Sequence, residues 1–90
     1  MLMCAQIRIY GKVQGVSLRA FVAAQAQKIG AVGYVENRAD GSVYVEACAE
    51  QVALRDLIAA CRKGSKNSRV EKVEVELAQL CPVYAGFKIK

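Results

Sequence analysis

Two periodicities alternate along this chain, and their order is the strongest constraint on its fold. In residues 5–13 apolar side chains recur at every second position. Ala5, Ile7, Ile9, Gly11 and Val13 fall on one side, Gln6, Arg8 and Tyr10 on the other. That is the pattern of a strand half-buried on its odd face. From Leu18 to Ile29 the period becomes helical, with Leu18, Phe21, Val22, Gln25 and Ile29 on one stripe. Ser17 stands where an N-cap belongs and Gly30 where a helix stops. Residues 31–38 and 42–48 are β-rich again, and the Arg38-Ala39-Asp40-Gly41 segment between them carries the Asp-Gly signal of a hairpin. A second helix spans 50–63, with Leu54, Leu57, Ile58 and Cys61 in register and Gly64 after it. Beyond the polar loop 65–68, Val73, Val75 and Leu77 alternate with Lys72, Glu74 and Glu76. Pro82 ends that region, and residues 86–90 allow a short fifth strand.

The order β-α-β-β-α-β predicts an α+β, ferredoxin-like fold: a mostly antiparallel sheet with both helices on one face. Ninety residues with no internal repeat and no linker make one domain, 1–90. A domain this small needs most of its apolar residues for its core, which favours a shallow site for a small ligand over a large cofactor cleft.

Several function classes drop out at once. The chain has no histidine, which removes Ser-His and Cys-His nucleophile pairs, imidazole bases and histidine metal sites. Cys4, Cys48, Cys61 and Cys81 have no CxxC spacing, so neither a zinc site nor a thioredoxin-type pair is expected. No apolar run has the length of a membrane span and no signal peptide is evident, so the expected location is the cytoplasm. The net charge of +5 suits an anionic partner. Its densest group, Arg62, Lys63 and Lys66, lies where the second helix ends, and there cations complement the helix dipole.

The chemistry concentrates in two segments. The first strand-to-helix turn reads Gly11-Lys12-Val13-Gln14-Gly15-Val16-Ser17-Leu18-Arg19. A helix N-terminus offers unpaired N–H groups and partial positive charge, and Gly15 lets backbone approach a ligand closely. Arg19, a cation in the first helical turn, opposes the dipole unless an anion sits between them. An exposed arginine in a glycine turn has the same sequence, and the residues alone leave both readings open. The second segment is Gly33-Tyr34-Val35-Glu36-Asn37-Arg38-Ala39-Asp40-Gly41. In the split β-α-β topology the first two strands are parallel, so Asn37 at the end of the second comes to the sheet edge that carries the 14–19 loop. An asparagine serving only its own hairpin is the competing account.

Together these segments resemble the acylphosphatase family. Its first signature, Gly-(Arg/Lys)-Val-Gln-Gly-Val-x-(aromatic)-Arg, is matched by residues 11–19. Its second, Gly-(aromatic)-Val-x-Asn-x-x-x-Gly-x-Val, is matched by residues 33–43. Spacing, element order and chain length agree over essentially the whole chain. The resemblance implies hydrolysis of small acyl phosphates to a carboxylate and inorganic phosphate, with no metal and no cofactor. It implies that Gln14, Gly15, Val16, Ser17, Leu18 and Arg19 hold the phosphate and that Asn37 orients the attacking water. It also implies a small-molecule substrate and no nucleic-acid partner. A self-contained domain of this kind is expected to be a monomer. Three positions depart from the family pattern. Leu18 replaces an aromatic residue, Ala49 a later glycine, and Gly64-Ser65-Lys66 lacks the usual proline. The last two are expected to concern turns remote from the site.

Two further readings come from residue placement. Cys4 and Cys48 fall near each other on antiparallel neighbours, so a disulfide is geometrically open, with free thiols the expected state in a reducing cytoplasm. Cys61 and Cys81 read as small packing residues. The alternative function is an RNA-binding module stacking bases on Tyr10, Tyr34 and Tyr44 of the open sheet face. Residues 42–48 lack the basic-Gly-aromatic run that such modules carry on that strand. Glu74 and Glu76 are expected to form a solvated strand face.

Overall fold

The protein was described from a computed structural model, which describes residues 2–78 and 84–90. The elements follow in the expected order: β1 (Leu2–Lys12), α1 (Leu18–Lys28), β2 (Val32–Asn37), β3 (Val43–Glu50), α2 (Gln51–Lys63), β4 (Arg69–Ala78) and β5 (Phe87–Ile89). They form a five-stranded sheet in the order β4-β1-β3-β2-β5. All neighbours are antiparallel except β2 and β5. Because β1 and β2 both run antiparallel to β3, they run parallel to each other, and their C-terminal ends share one edge of the sheet. This is the ferredoxin-like α+β arrangement.

The alternating pattern is what puts the helices on one face. Ala5, Ile7 and Ile9 of β1, Val35 of β2 and Val43, Val45 and Ala47 of β3 are fully enclosed beneath the helices. Leu18, Val22 and Ala26 of α1 and Leu54, Leu57 and Cys61 of α2 close the same core from above. Enclosing one such Val, Leu or Ile contributes about 1.5–3 kcal/mol. A one-residue slip in any central strand would turn this whole set to solvent, so the burial pattern fixes the register. β4 is an edge strand and carries Lys72, Glu74 and Glu76 outward, a charge distribution that discourages edge-to-edge pairing. The turn reading of Pro82 and the packing reading of Cys81 lie outside the described residues.

Three local features differ from expectation or sharpen it. Ser17 occupies the N-cap position of α1, but in the left-handed region (φ 63°, ψ 21°) and with no side-chain hydrogen bond to the helix. The first turn of α1 also lacks an acidic residue, so the helix starts without a side-chain cap. Cys4 and Cys48 lie directly opposite each other, and the structure joins their sulfurs in a disulfide at 2.08 Å. Gly33 has φ +139°, and a Cβ there would lie 1.8 Å from the Glu46 carbonyl oxygen on β3. The two central strands touch through that missing side chain. Gly33→Ala is therefore expected to cost roughly 3 kcal/mol or more, because backbone must move or break ladder bonds. Urea unfolding checks this, and a midpoint equal to wild type would refute it.

Candidate active site

The loop between β1 and α1 is anchored at both ends by core residues. Val13 and Leu18 are each 1% exposed, while Gly15 and Ser17 between them face solvent. Leu18 thus packs inward as the first residue of the helix and is not part of the loop's exposed surface. Gly15 and Ser17 both adopt positive φ, at 72° and 63°. Val16 between them does not, so the chain alternates handedness over three residues. Alternation between right- and left-handed residues is the backbone pattern of nests, in which successive N–H groups form an anion-binding concavity. The loop ends at the uncapped start of α1, where the helix adds N–H groups with no side chain upon them. Space is not what requires glycine at position 15, since a Cβ there meets nothing within 4 Å; the backbone angle is.

Two sets of hydrogen bonds draw the second segment to this loop. From one side, the Gln14 side-chain amide donates to the carbonyl oxygens of Arg38 (2.7 Å) and Ser42 (2.9 Å). The hairpin it grips is closed by Arg38 N–H to Ser42 O at 2.8 Å and by the Asp40 carboxylate, which accepts from the Ser42 backbone N–H and hydroxyl. From the other side, Arg19 donates Nη1–H to the Lys90 carbonyl oxygen at 2.8 Å, and the Lys90 N–H donates to Val35 O at 2.8 Å. Asn37 lies between these two ties, at the exposed end of β2. Among the described residues no hydrogen bond uses its side-chain amide.

The structure therefore brings Arg19, Asn37 and the 14–19 loop to one sheet edge. It also separates their duties. Both donors of the Gln14 side chain are used on the hairpin, so this side chain is a strut; its backbone alone belongs to the concavity. Ser65 was expected to be remote, but its hydroxyl donates to the Val16 carbonyl oxygen at 3.1 Å, so the α2–β4 connection touches the loop directly. The Lys90 tie was also missed. Its signal was parallel pairing of β5 with β2, which carries residue 90 to the end of the strand that bears Asn37.

Among the described residues, the groups with clearly shifted pKa values are moved away from neutrality. Ser42 hydrogen bonds hold Asp40 below its ordinary carboxylate value, and Lys72 does the same for Glu74. Burial pushes the Cys61 thiol up to about 12, so it carries no thiolate at neutral pH. Burial, then the Glu46 carboxylate, raises Tyr34 to about 12. Among the described residues no group of three or more His, Cys, Asp or Glu side chains could hold a metal ion. The donors gathered at the loop are N–H groups and a guanidinium, which suit an anion rather than a cation.

The tyrosines of the open face are engaged within the chain. Tyr44 is 5% exposed, with the Arg38 guanidinium 4.0 Å from its ring centre. The Lys90 ammonium lies 3.9 Å from the Tyr34 ring centre, and Tyr10 donates its hydroxyl to Glu74. The chain's own cations and neighbouring rings lie against these tyrosines, and the RNA-binding alternative has no support from the comparisons. Among the described residues no helix is long and apolar enough to cross a membrane.

Comparison with known proteins agrees with the geometry. The acylphosphatase family model matches residues 5–89. An acylphosphatase of Rhizorhabdus wittichii is 46% identical over 71 residues, 79% of this chain and 72% of the relative. One of Salinibacter ruber is 39% identical over 83 residues, 92% and 87% of the two chains. The crystal structure of acylphosphatase from Bacillus subtilis superposes with a TM-score of 0.95 at 34% identity, covering 100% of this chain and 99% of that one. With a family match over nearly its full length, relatives of this identity and the same fold throughout, the chain belongs to the acylphosphatase family.

Proposed function

We propose that this chain hydrolyses small acyl phosphates to a carboxylate and inorganic phosphate, as a single domain that uses neither metal nor cofactor. The observation that carries the reading is the pair of ties, Gln14 to the hairpin carbonyls and Arg19 to Lys90, that join the 14–19 loop and the start of α1 to the two sides of the β2 end that bears Asn37. In this reading the backbone N–H groups of residues 14–19 and the Arg19 guanidinium bind the phosphoryl oxygens, and charge gathering there in the transition state strengthens those bonds. The Asn37 amide orients a water in line with the bond to be broken. Water oxygen bonds to phosphorus, the bond from phosphorus to the acyl oxygen breaks, and the carboxylate leaves with the electron pair. The water's proton passes to a phosphoryl oxygen, because neither Arg nor Asn accepts protons at neutral pH. Catalysis is then positioning and electrostatics on a substrate with a good leaving group.

The reading includes a monomeric enzyme; light scattering at micromolar concentration checks it. The reading includes a cytoplasmic setting and no nucleic-acid partner. In that setting the Cys4–Cys48 bridge faces a reducing thiol pool.

The test is phosphate release from benzoyl phosphate in excess chelator, followed from pH 5 to pH 8. Chelator is expected to leave the rate unchanged. Asp40, whose pKa is lowered, keeps its hairpin bonds across that whole range and loses them only in acid, as the pH falls through its folded value. Any limb in the rate profile should therefore follow the substrate's own ionisation and move when a more acidic acyl phosphate is used. A limb fixed near neutrality for every substrate would show an essential protein base and defeat the scheme.

A further inference from the structure

The loop is also held from behind. Ser65 follows the glycine that ends α2, and its hydroxyl donates to Val16 O at 3.1 Å. Ser65 is itself fixed, since Ser68 donates both its hydroxyl (2.9 Å) and its N–H (3.1 Å) to the Ser65 carbonyl. Packing leaves this connection little freedom: a Cβ on Gly64 would lie 2.4 Å from Ser68 Oγ and 2.8 Å from Val70 Cγ2. The Val16–Ser17 peptide is trans, as are the described peptides generally, so its C=O and N–H point in opposite directions. Ser17 occupies the left-handed region, which costs a non-glycine residue about 1–2 kcal/mol and must be offset by contacts that hold the loop in this shape.

From this we infer that Ser65 is a positioning residue of the phosphate cradle: drawing the Val16 carbonyl toward the α2–β4 connection turns the Ser17 N–H into the mouth of the loop. The inference rests on the reading of the 14–19 loop as a phosphate site. Without the hydroxyl the peptide is free to rotate, and rotation replaces a donor with a carbonyl oxygen that repels phosphate.

The experiment measures benzoyl phosphate kinetics, inhibition by inorganic phosphate, and backbone amide shifts on phosphate titration, for wild type, Ser65→Ala, Ser65→Thr and Ser68→Ala. In Ser65→Ala, KM and the phosphate inhibition constant are expected to rise together by about tenfold, the scale of one lost hydrogen bond, with kcat changing far less. The Ser17 amide shift seen in wild type should shrink. Ser65→Thr keeps the hydroxyl and should restore all three readouts. Ser68→Ala should move them the same way by less, and it carries the test should Ser65→Ala fail to fold. An unchanged inhibition constant and an unchanged Ser17 shift in a folded variant overturn the inference. So does a loss of thermal stability that threonine repairs without repairing phosphate binding. If wild type itself neither binds phosphate nor hydrolyses the substrate, the parent reading fails and this inference falls with it.

Discussion

Replacing Arg19 by alanine is expected to lower kcat/KM for an acyl phosphate by about three orders of magnitude and to abolish competitive inhibition by inorganic phosphate. The reasoning starts from what the side chain is doing in the folded chain. It stands one residue into α1, where a cation opposes the helix dipole, and the first turn has no carboxylate to neutralise it. A hydrogen bond holds Nη1 against the Lys90 carbonyl. Among the described residues no other hydrogen bond uses its guanidinium, so in the proposed scheme the rest of the fork meets the anion. The residue thus contributes little to the fold. Loss of one exposed hydrogen bond and relief of the dipole conflict act in opposite directions, so Arg19→Ala should alter unfolding free energy by no more than about 1 kcal/mol. Arg19→Lys tests the geometry separately. A lysine keeps the charge but lacks the planar fork, so weak phosphate binding should survive with most of the rate lost. An alanine variant that still binds phosphate normally would remove Arg19 from the site altogether.

The fold was legible because it is written in side-chain period, and period survives without knowledge of contacts. Ala5, Ile7 and Ile9 of β1 and the Leu54, Leu57, Cys61 stripe of α2 go to the core because a strand and a helix each have one face to bury, whereas Gly11, expected on the same face, is exposed beyond the register shift at Tyr10–Gly11. The parallel relation of β1 and β2 follows from that order and brings Asn37 to the loop. The same logic is blind to who bonds whom across the edge. Gln14 reads as a residue of the phosphate run, but its amide reaches the hairpin carbonyls of Arg38 and Ser42. Ser17 reads as a cap, yet the left-handed backbone that curls the loop takes its hydroxyl out of reach of the helix. Ser65 was set aside as a turn residue because nothing in a local window shows that the α2–β4 connection passes beneath residue 16. For Gln14 and Ser65 the missing information is a long-range hydrogen bond made by a polar side chain, and for Ser17 it is a backbone angle; neither leaves a periodic trace.

Asn37→Ala is expected to separate catalysis from binding, lowering kcat by about a hundredfold or more while phosphate still inhibits. Asparagines near turns usually serve local backbone, and the alternative account of this one was of that kind. The structure removes most of its support. The hairpin is closed by Arg38, Asp40, Gly41 and Ser42, and among the described residues no hydrogen bond uses the Asn37 side-chain amide. An exposed polar side chain with no partner contributes little to stability, so Asn37→Ala should unfold within about 0.5 kcal/mol of wild type. In the proposed scheme the amide offers a donor and an acceptor at a strand end, one to orient a water and one beside the phosphoryl group. Asn37→Asp makes the distinction sharper. It keeps the shape but sets a negative charge beside the anion, so it should weaken phosphate inhibition where alanine does not. A stable alanine variant with wild-type kcat would leave the water without its orienting group. If rate and phosphate inhibition instead fell together, Asn37 would be holding the phosphate or the loop, and the orienting group would have to be sought among the loop amides.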